Sequence, residues 1–371
     1  MSRPDTTPQR PSRKGSATRK IQWLGLAVLV VIALYTGGWF FLAARIEGAA
    51  AEAIAGAEAN GTTILCAERD VRGYPFRLGL HCERTVVETA DGVRVEAGAF
   101  RSAAQVYEPN RIISELDGPV RVEAPGLVAQ AEWSSARAST RIGTQGLSLG
   151  TISVRDARLV GEPAGGASLQ ASFDEAVGSI RPNGADLDAA LRVEGLDLAP
   201  IGGRDAPAAS LDLDATLSDA AAALRGEGPI ESLRGRTVTI RESGLALAGG
   251  GRLVLEGAVA VDANGLANGE VSLGFSDPAA TVAALSGLFP EAQGVIRTIG
   301  GVVGGAGGGG MLAGVLGGGA TRAASATGTP DATGGPDATG GPDALSRITV
   351  TLRNGQARAG LIPLGSVPPL P

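Results

Sequence analysis

From Ile21 to Leu42 the chain reads IQWLGLAVLVVIALYTGGWFFL, 22 residues without a charged side chain. A helix rises about 1.5 Å per residue, so a run of this length crosses a hydrocarbon core of roughly 30 Å. The spacing therefore predicts a transmembrane helix over residues 21–42. Trp23 lies near one end and Tyr35, Trp39, Phe40 and Phe41 near the other, where amphipathic rings favour the membrane interface. Ala43, Ala44 and the run Ala49–Ala51 would suit a signal peptidase. An apolar signal core is only roughly 7–15 residues long, however, so the run reads as a retained anchor.

Charge gives the anchor a direction. Arg3, Arg10, Arg13, Lys14, Arg19 and Lys20 precede it against the single acid Asp5, although the chain as a whole carries a net charge of −6. Residues 1–20 are a basic tail held in the cytoplasm by the positive-inside rule, and everything beyond Arg45 is expected on the far side of a bacterial inner membrane. That remaining body is acidic and lacks the basic stripe needed to hold a phosphate backbone, which excludes a nucleic-acid partner. One histidine, His81, and two cysteines, Cys66 and Cys82, exclude a four-ligand His/Cys metal cage within one chain. No metal or cofactor is expected.

Beyond the anchor, residues 43–60 are rich in Ala, Glu and Ile and predict a helix leaving the membrane, stopped by Asn60-Gly61. The period then changes to two. TTILCAERD, FRLGLHCERTVVET and GVRVEAGAFRSAAQVY alternate apolar with polar residues, and Asp91-Gly92 marks a hairpin turn. The same texture continues through LSLGTISVRDARLV, ADLDAALRVEGLDL and GRLVLEGAVAVDANGLANGEVSLGFSD to the closing ITVTLRNGQARAGLIPLG. With hydrophobic content of 44% but aromatic content of only 4%, the chain is expected to be mainly β. Its expected architecture is a long antiparallel sheet, curved by glycines and bulges, with one wet and one apolar face.

Two segments interrupt the strands, and each predicts a covering helix: 219–234, and 278–300 with Pro278 as its first residue and a kink at Pro290. The organisation expected is a β-rich exported domain over 61–300, a low-complexity linker over 301–345 containing the ATGGPDA repeats, and a returning C-terminal strand over 346–371. The glycine-rich part of that linker lacks the Gly-Lys-Ser/Thr ending of a phosphate loop.

Cys66 and Cys82 flank the turn Arg72-Gly73-Tyr74-Pro75, so adjacent strands would bring them together, and an oxidising compartment would bond them. A redox motif is excluded because it needs two intervening residues. Gly146-Leu147-Ser148-Leu149-Gly150 matches the nucleophile-elbow string, but strand alternation continues through it with no helix after, and His81 would be its only base. The pairs Asp186/Asp188 and Asp212/Asp214 each share a strand face, with Leu187 and Leu213 opposite, and read as solvated edges of half-buried strands. No catalytic residue is assigned.

The order of these segments resembles a family of bacterial envelope proteins, domain of unknown function 2125. The resemblance runs over about residues 20–371. It rests most on the turn Arg72, Gly73, Tyr74, Pro75 and Phe76, on Tyr107-Glu108-Pro109-Asn110, and on the closing Pro-Leu-Gly-x-x-Pro-Pro-Leu at Pro363–Leu370. It implies a topology and no catalytic residues. In architecture alone, an anchor with a long exported sheet, the chain is also similar to AsmA-like proteins, thought to act in lipid movement or outer-membrane homeostasis. The expected role is noncatalytic: lipid handling or envelope maintenance through the apolar sheet face, or scaffolding with an envelope protein partner.

Overall fold

The computed structural model describes residues 15–276 and 345–370, apart from 167, 199–207, 229, 231 and 249. The expected helix at 278–300 and all but the last residue of the expected linker at 301–345 lie outside the described residues.

The anchor and the helix after it are one element, α1 (Gly15–Ala59), long and apolar enough to cross a membrane and consistent with a single-pass anchor. Ile21, Leu24, Leu29 and Phe41 along it are largely exposed. The helix stops where the sequence says it should. Gly61 takes φ +80°, a conformation that costs glycine nothing. The Asn60 side-chain amide donates to the Gly56 carbonyl at 2.8 Å, satisfying a last-turn acceptor.

The twenty strands among the described residues form one open antiparallel sheet. The first ten come in consecutive pairs: β1 (Thr62–Ala67) with β2 (Asp70–Arg72), β3 (Arg77–Cys82) with β4 (Arg84–Thr89), β5 (Arg94–Ala97) with β6 (Phe100–Gln105), β7 (Glu108–Leu116) with β8 (Val120–Ala124), and β9 (Leu127–Glu132) with β10 (Ser135–Gly143). Laterally, β2–β3–β6–β7–β10 form one row and β1–β4–β5–β8–β9 another. The long β11 (Gly146–Pro163) joins both rows, pairing with β10 up to Arg155 and with β9 from Arg158 onward. Each early pair is thus one long strand broken once.

The breaks align. Glu83 N donates to Ala67 O at 2.9 Å and Ser134 N to Arg155 O at 3.0 Å, each joining a break to a neighbouring strand, while Gly98 N donates to Asp117 O at 3.1 Å from one break to the next. Glu68 and Asp156 hold positive φ on this line. Gly195 continues it with φ +65°, and a Cβ there would run into the Asp174 carboxylate. The result is a crease across the sheet, since local irregularities bend and twist the strands that carry them.

Past the crease the strands follow one another: β12 (Leu169–Asn183), β13 (Asp186–Leu198), β14 (Ala209–Leu217), β15 (Thr237–Leu247), β16 (Arg252–Val261), β17 (Ala267–Phe275), β18 (Ser346–Arg353), β19 (Gln356–Ala359) and β20 (Ile362–Ser366), each paired with the next. The predicted Asp91-Gly92 turn joins β4 to β5. One expected helix is corrected. Among the described residues of 219–234 only Ala221–Arg225 is helical, as a short 3₁₀ turn, because Gly226 in the left-handed region ends it.

Alternation gives the sheet two unlike faces. On one, a single row of register partners runs Leu78, Ala104, Ile112, Thr140, Gly150, Ile180, Ala189, Ala215 and Ile240. The neighbouring row carries Ile152, Gly178, Leu191 and Leu213. The opposite face carries Arg155, Glu175, Arg192 and Asp212. Two compact cores close the ends: Phe275, Ile348 and Ala359 at the last strands, and Trp39, Ala43 and Leu78 where α1 meets the sheet.

Candidate functional site

Two places combine specific chemistry with specific geometry. The first is the junction of α1 with the turn Arg72–Phe76, which joins β2 to β3. Gly73 takes φ +117°, and a Cβ there would press on Arg77 at 2.8 Å, so this position requires glycine. The turn is then fastened to the helix by three polar contacts. Tyr35 donates its hydroxyl to Pro75 O at 2.5 Å, Thr36 and Tyr74 share a hydroxyl hydrogen bond of 2.9 Å, and Trp39 Nε1 donates to Arg77 O at 2.9 Å. The Tyr74 ring meets Trp39 edge-on at 5.5 Å and stacks on Phe40 at 6.0 Å.

This corrects one expectation. Trp39 belongs to a protein core, 7% exposed against Ala43 and Leu78, and not to a lipid-facing belt. Its indole N–H finds a backbone carbonyl there, as a buried Trp requires. Behind the junction Cys66 and Cys82 form the expected disulfide, with Cα atoms 5.1 Å apart. The bond ties β1 to β3 across the crease.

The second place is the charged face of β12–β16. Asp188, expected to be solvated, is 5% exposed, which is a correction with a clear cause. Thr216 lies opposite it on β14 and donates its hydroxyl at 2.7 Å. Arg181 on β12 donates from Nε and Nη2 at 3.1 and 3.0 Å, and Arg241 on β15 reaches over at 3.2 Å. The Thr216 hydrogen bond, followed by those of Arg181, Arg241 and Asn183, outweighs burial and draws the carboxyl down to about 2. Asp186 serves the local backbone, accepting from Asp219 N at 3.0 Å. Asp212 is exposed and paired with Arg192, and the half-buried Asp214 is paired with Arg241.

Beside Asp188 the charged face is hollowed into an open trough of about 780 Å³. The small side chains of Ala190, Gly244 and Ala246 leave it open, and Glu175, Glu194, Asp212 and Glu242 line it with carboxylates alongside Arg192 and Arg252. Arg155–Glu175 at 2.9 Å and Arg192–Asp212 at 2.6 Å cross it as strand-to-strand pairs. Such pairs fix register and leave little uncompensated charge to grip a ligand. Elsewhere, Ser148 lies within β11 and donates to Arg141 O at 3.0 Å, far along the strand ladder from His81 on β3.

No curated protein and no solved structure matches the chain. A family model described as "Uncharacterized protein conserved in bacteria (DUF2125)" matches residues 39–368. The match opens at Trp39, the first helix residue buried against the sheet, and takes in the Arg72–Phe76 turn, the disulfide, the crease and the strands to the last edge. By that match, which covers most of its length, the chain belongs to the DUF2125 family of bacterial proteins.

Proposed function

We propose that this chain is a noncatalytic single-pass protein of the bacterial inner membrane that offers lipid an apolar surface outside the bilayer. The basic tail puts its N-terminus in the cytoplasm, and the Cys66–Cys82 bond suits a periplasmic sheet. The observation that carries the lipid reading is the row of register partners, apolar at every position but Thr140. It begins at Leu78, beneath the helix that enters the membrane, and passes through nine strands to Ile240. At about 4.8 Å per strand that is a path of nearly 40 Å. Beside it Ile152, Leu191 and Leu213 are 52%, 36% and 41% exposed, and an apolar patch of this extent marks a binding surface.

A partner held by edge pairing is less well served. The last strand contains Pro363, and the residues after it fold back, Val367 N onto Gly355 O at 2.7 Å and Leu370 N onto Gly265 O at 2.8 Å. Prolines and a folded-back tail guard a sheet edge against added strands. The test is photocrosslinking of the full chain, in native-like membranes, to phospholipid carrying a photoactivatable acyl chain. The lipid reading expects crosslinks on α1 and also on β11–β14, the latter lost in Leu191→Glu. Crosslinks confined to α1 would refute it.

A further inference from the structure

Two turns next to α1 carry an exposed aromatic tip. The Arg72–Phe76 turn and the Val106-Tyr107 turn between β6 and β7 lie side by side, joined by Val106 N donating to Phe76 O at 3.0 Å. Their tips are aromatic and open: Tyr107 is 78% exposed, Phe76 67% and Tyr74 48%. One exposed aromatic residue on a soluble surface is ordinary. Three on two adjoining turns form a contiguous apolar tip, and its position beside α1 says what covers it.

The Tyr35 hydroxyl fixes that position by donating to Pro75 O. Tyr35 lies seven residues before Leu42, the end of the uncharged run, which is about 10 Å of helix. A turn bonded to Tyr35 is therefore level with the last part of the membrane-spanning segment and cannot stand clear of the lipid. Arg72, paired with Asp70, and Arg77 flank the turn in sequence, and arginines next to aromatic rings suit a membrane interface. We infer that Tyr74, Phe76 and Tyr107 insert into the interfacial layer of the bilayer beside the anchor, so that the sheet stands on the membrane on two supports and has a fixed orientation to it.

This inference rests on α1 being a membrane anchor, and one experiment separates the two claims. The chain has three tyrosines, Tyr35, Tyr74 and Tyr107, all in or beside this tip, so 3-fluorotyrosine labelling gives three ¹⁹F signals, each assigned by its Tyr→Phe variant. The full chain is placed in nanodiscs of phosphatidylcholine and phosphatidylglycerol and titrated with a water-soluble gadolinium chelate or with a nitroxide-bearing lipid. Tyr107 is expected to relax several-fold more strongly with the lipid probe than Tyr107 in detergent-free aqueous exposure would allow, and to be shielded from the chelate. If Tyr35 responds to the lipid while Tyr107 responds only to the chelate, the two-support inference is overturned and the anchor stands. If neither responds to the lipid, the anchor reading itself fails.

Discussion

The part of the sheet before β11 and the part after it are made from the same alternating sequence yet held in different ways. Before β11 every long strand is broken at the crease, and order is supplied from outside the ladder: a disulfide, a helix packed through Trp39, and Trp133 Nε1 donating across a break to Leu116 O at 2.9 Å. From β12 to β16 no strand is broken in two, and cross-strand charge pairs with the Asp188 cluster pin their register. A creased sheet loses ladder bonds at each break and needs covalent or core reinforcement. Where the strands run on unbroken, with only bulges such as those at Val193/Leu196 and Ile240/Ser243, side chains of the sheet itself can hold the register.

The contrast can be broken by removing each device in turn. Cys66→Ser with Cys82→Ser opens a loop of the size for which a disulfide contributes about 3 kcal/mol. Hydrogen exchange is expected to rise in β1–β4 and stay unchanged in β13–β15, and equal deprotection of both would dissolve the distinction. Asp188→Ala is expected to cost about 2 kcal/mol in denaturant unfolding, with exchange rising in β12–β15 only.

Acid sharpens the same point. The Asp188 carboxyl is held at about 2 against an ordinary 3.8, so its folded form favours the charged state. The stability it supplies, on the order of 2 kcal/mol, is complete above the ordinary value and lost as pH falls from about 4 through 2. Subtracting the stability–pH curve of Asp188→Asn from that of the parent should leave a step in this window, and a flat difference would contradict the network. Smallest of all, Arg192→Ala removes an exposed pair with Asp212 and is expected to cost less than about 1 kcal/mol, shrinking further in added salt.

Much of this was legible in the sequence where the signal is local. The helix stop at Asn60-Gly61, the Asp91-Gly92 hairpin, the Cys66–Cys82 bond and the period-two alternation each lie within a few residues or one turn. The crease was hidden because ordinary residues such as Glu83 and Asp156 carry it, and nothing local tells a strand break from a strand. Asp188 was misread because Arg241, which helps cover it, lies 53 residues away. The 219–234 helix was overestimated because its alanines speak for a helix more strongly than its glycines speak against one. Trp39 reads from the sequence as an interface ring because a helix pattern shows what is apolar but not what covers it.

Every strand of this sheet pairs with strands next to it along the chain, or with the neighbouring half of a broken one. Mean sequence separation between contacts is therefore low for an all-β protein, and the entropy of closing large loops, which slows sandwiches and Greek keys, is largely avoided. The one long closure joins β17 to β18 across residues 276–345. A chain delivered from its N-terminus can thus add strands one at a time to an edge already formed beside the anchor, each new strand covering the bare edge left by the last.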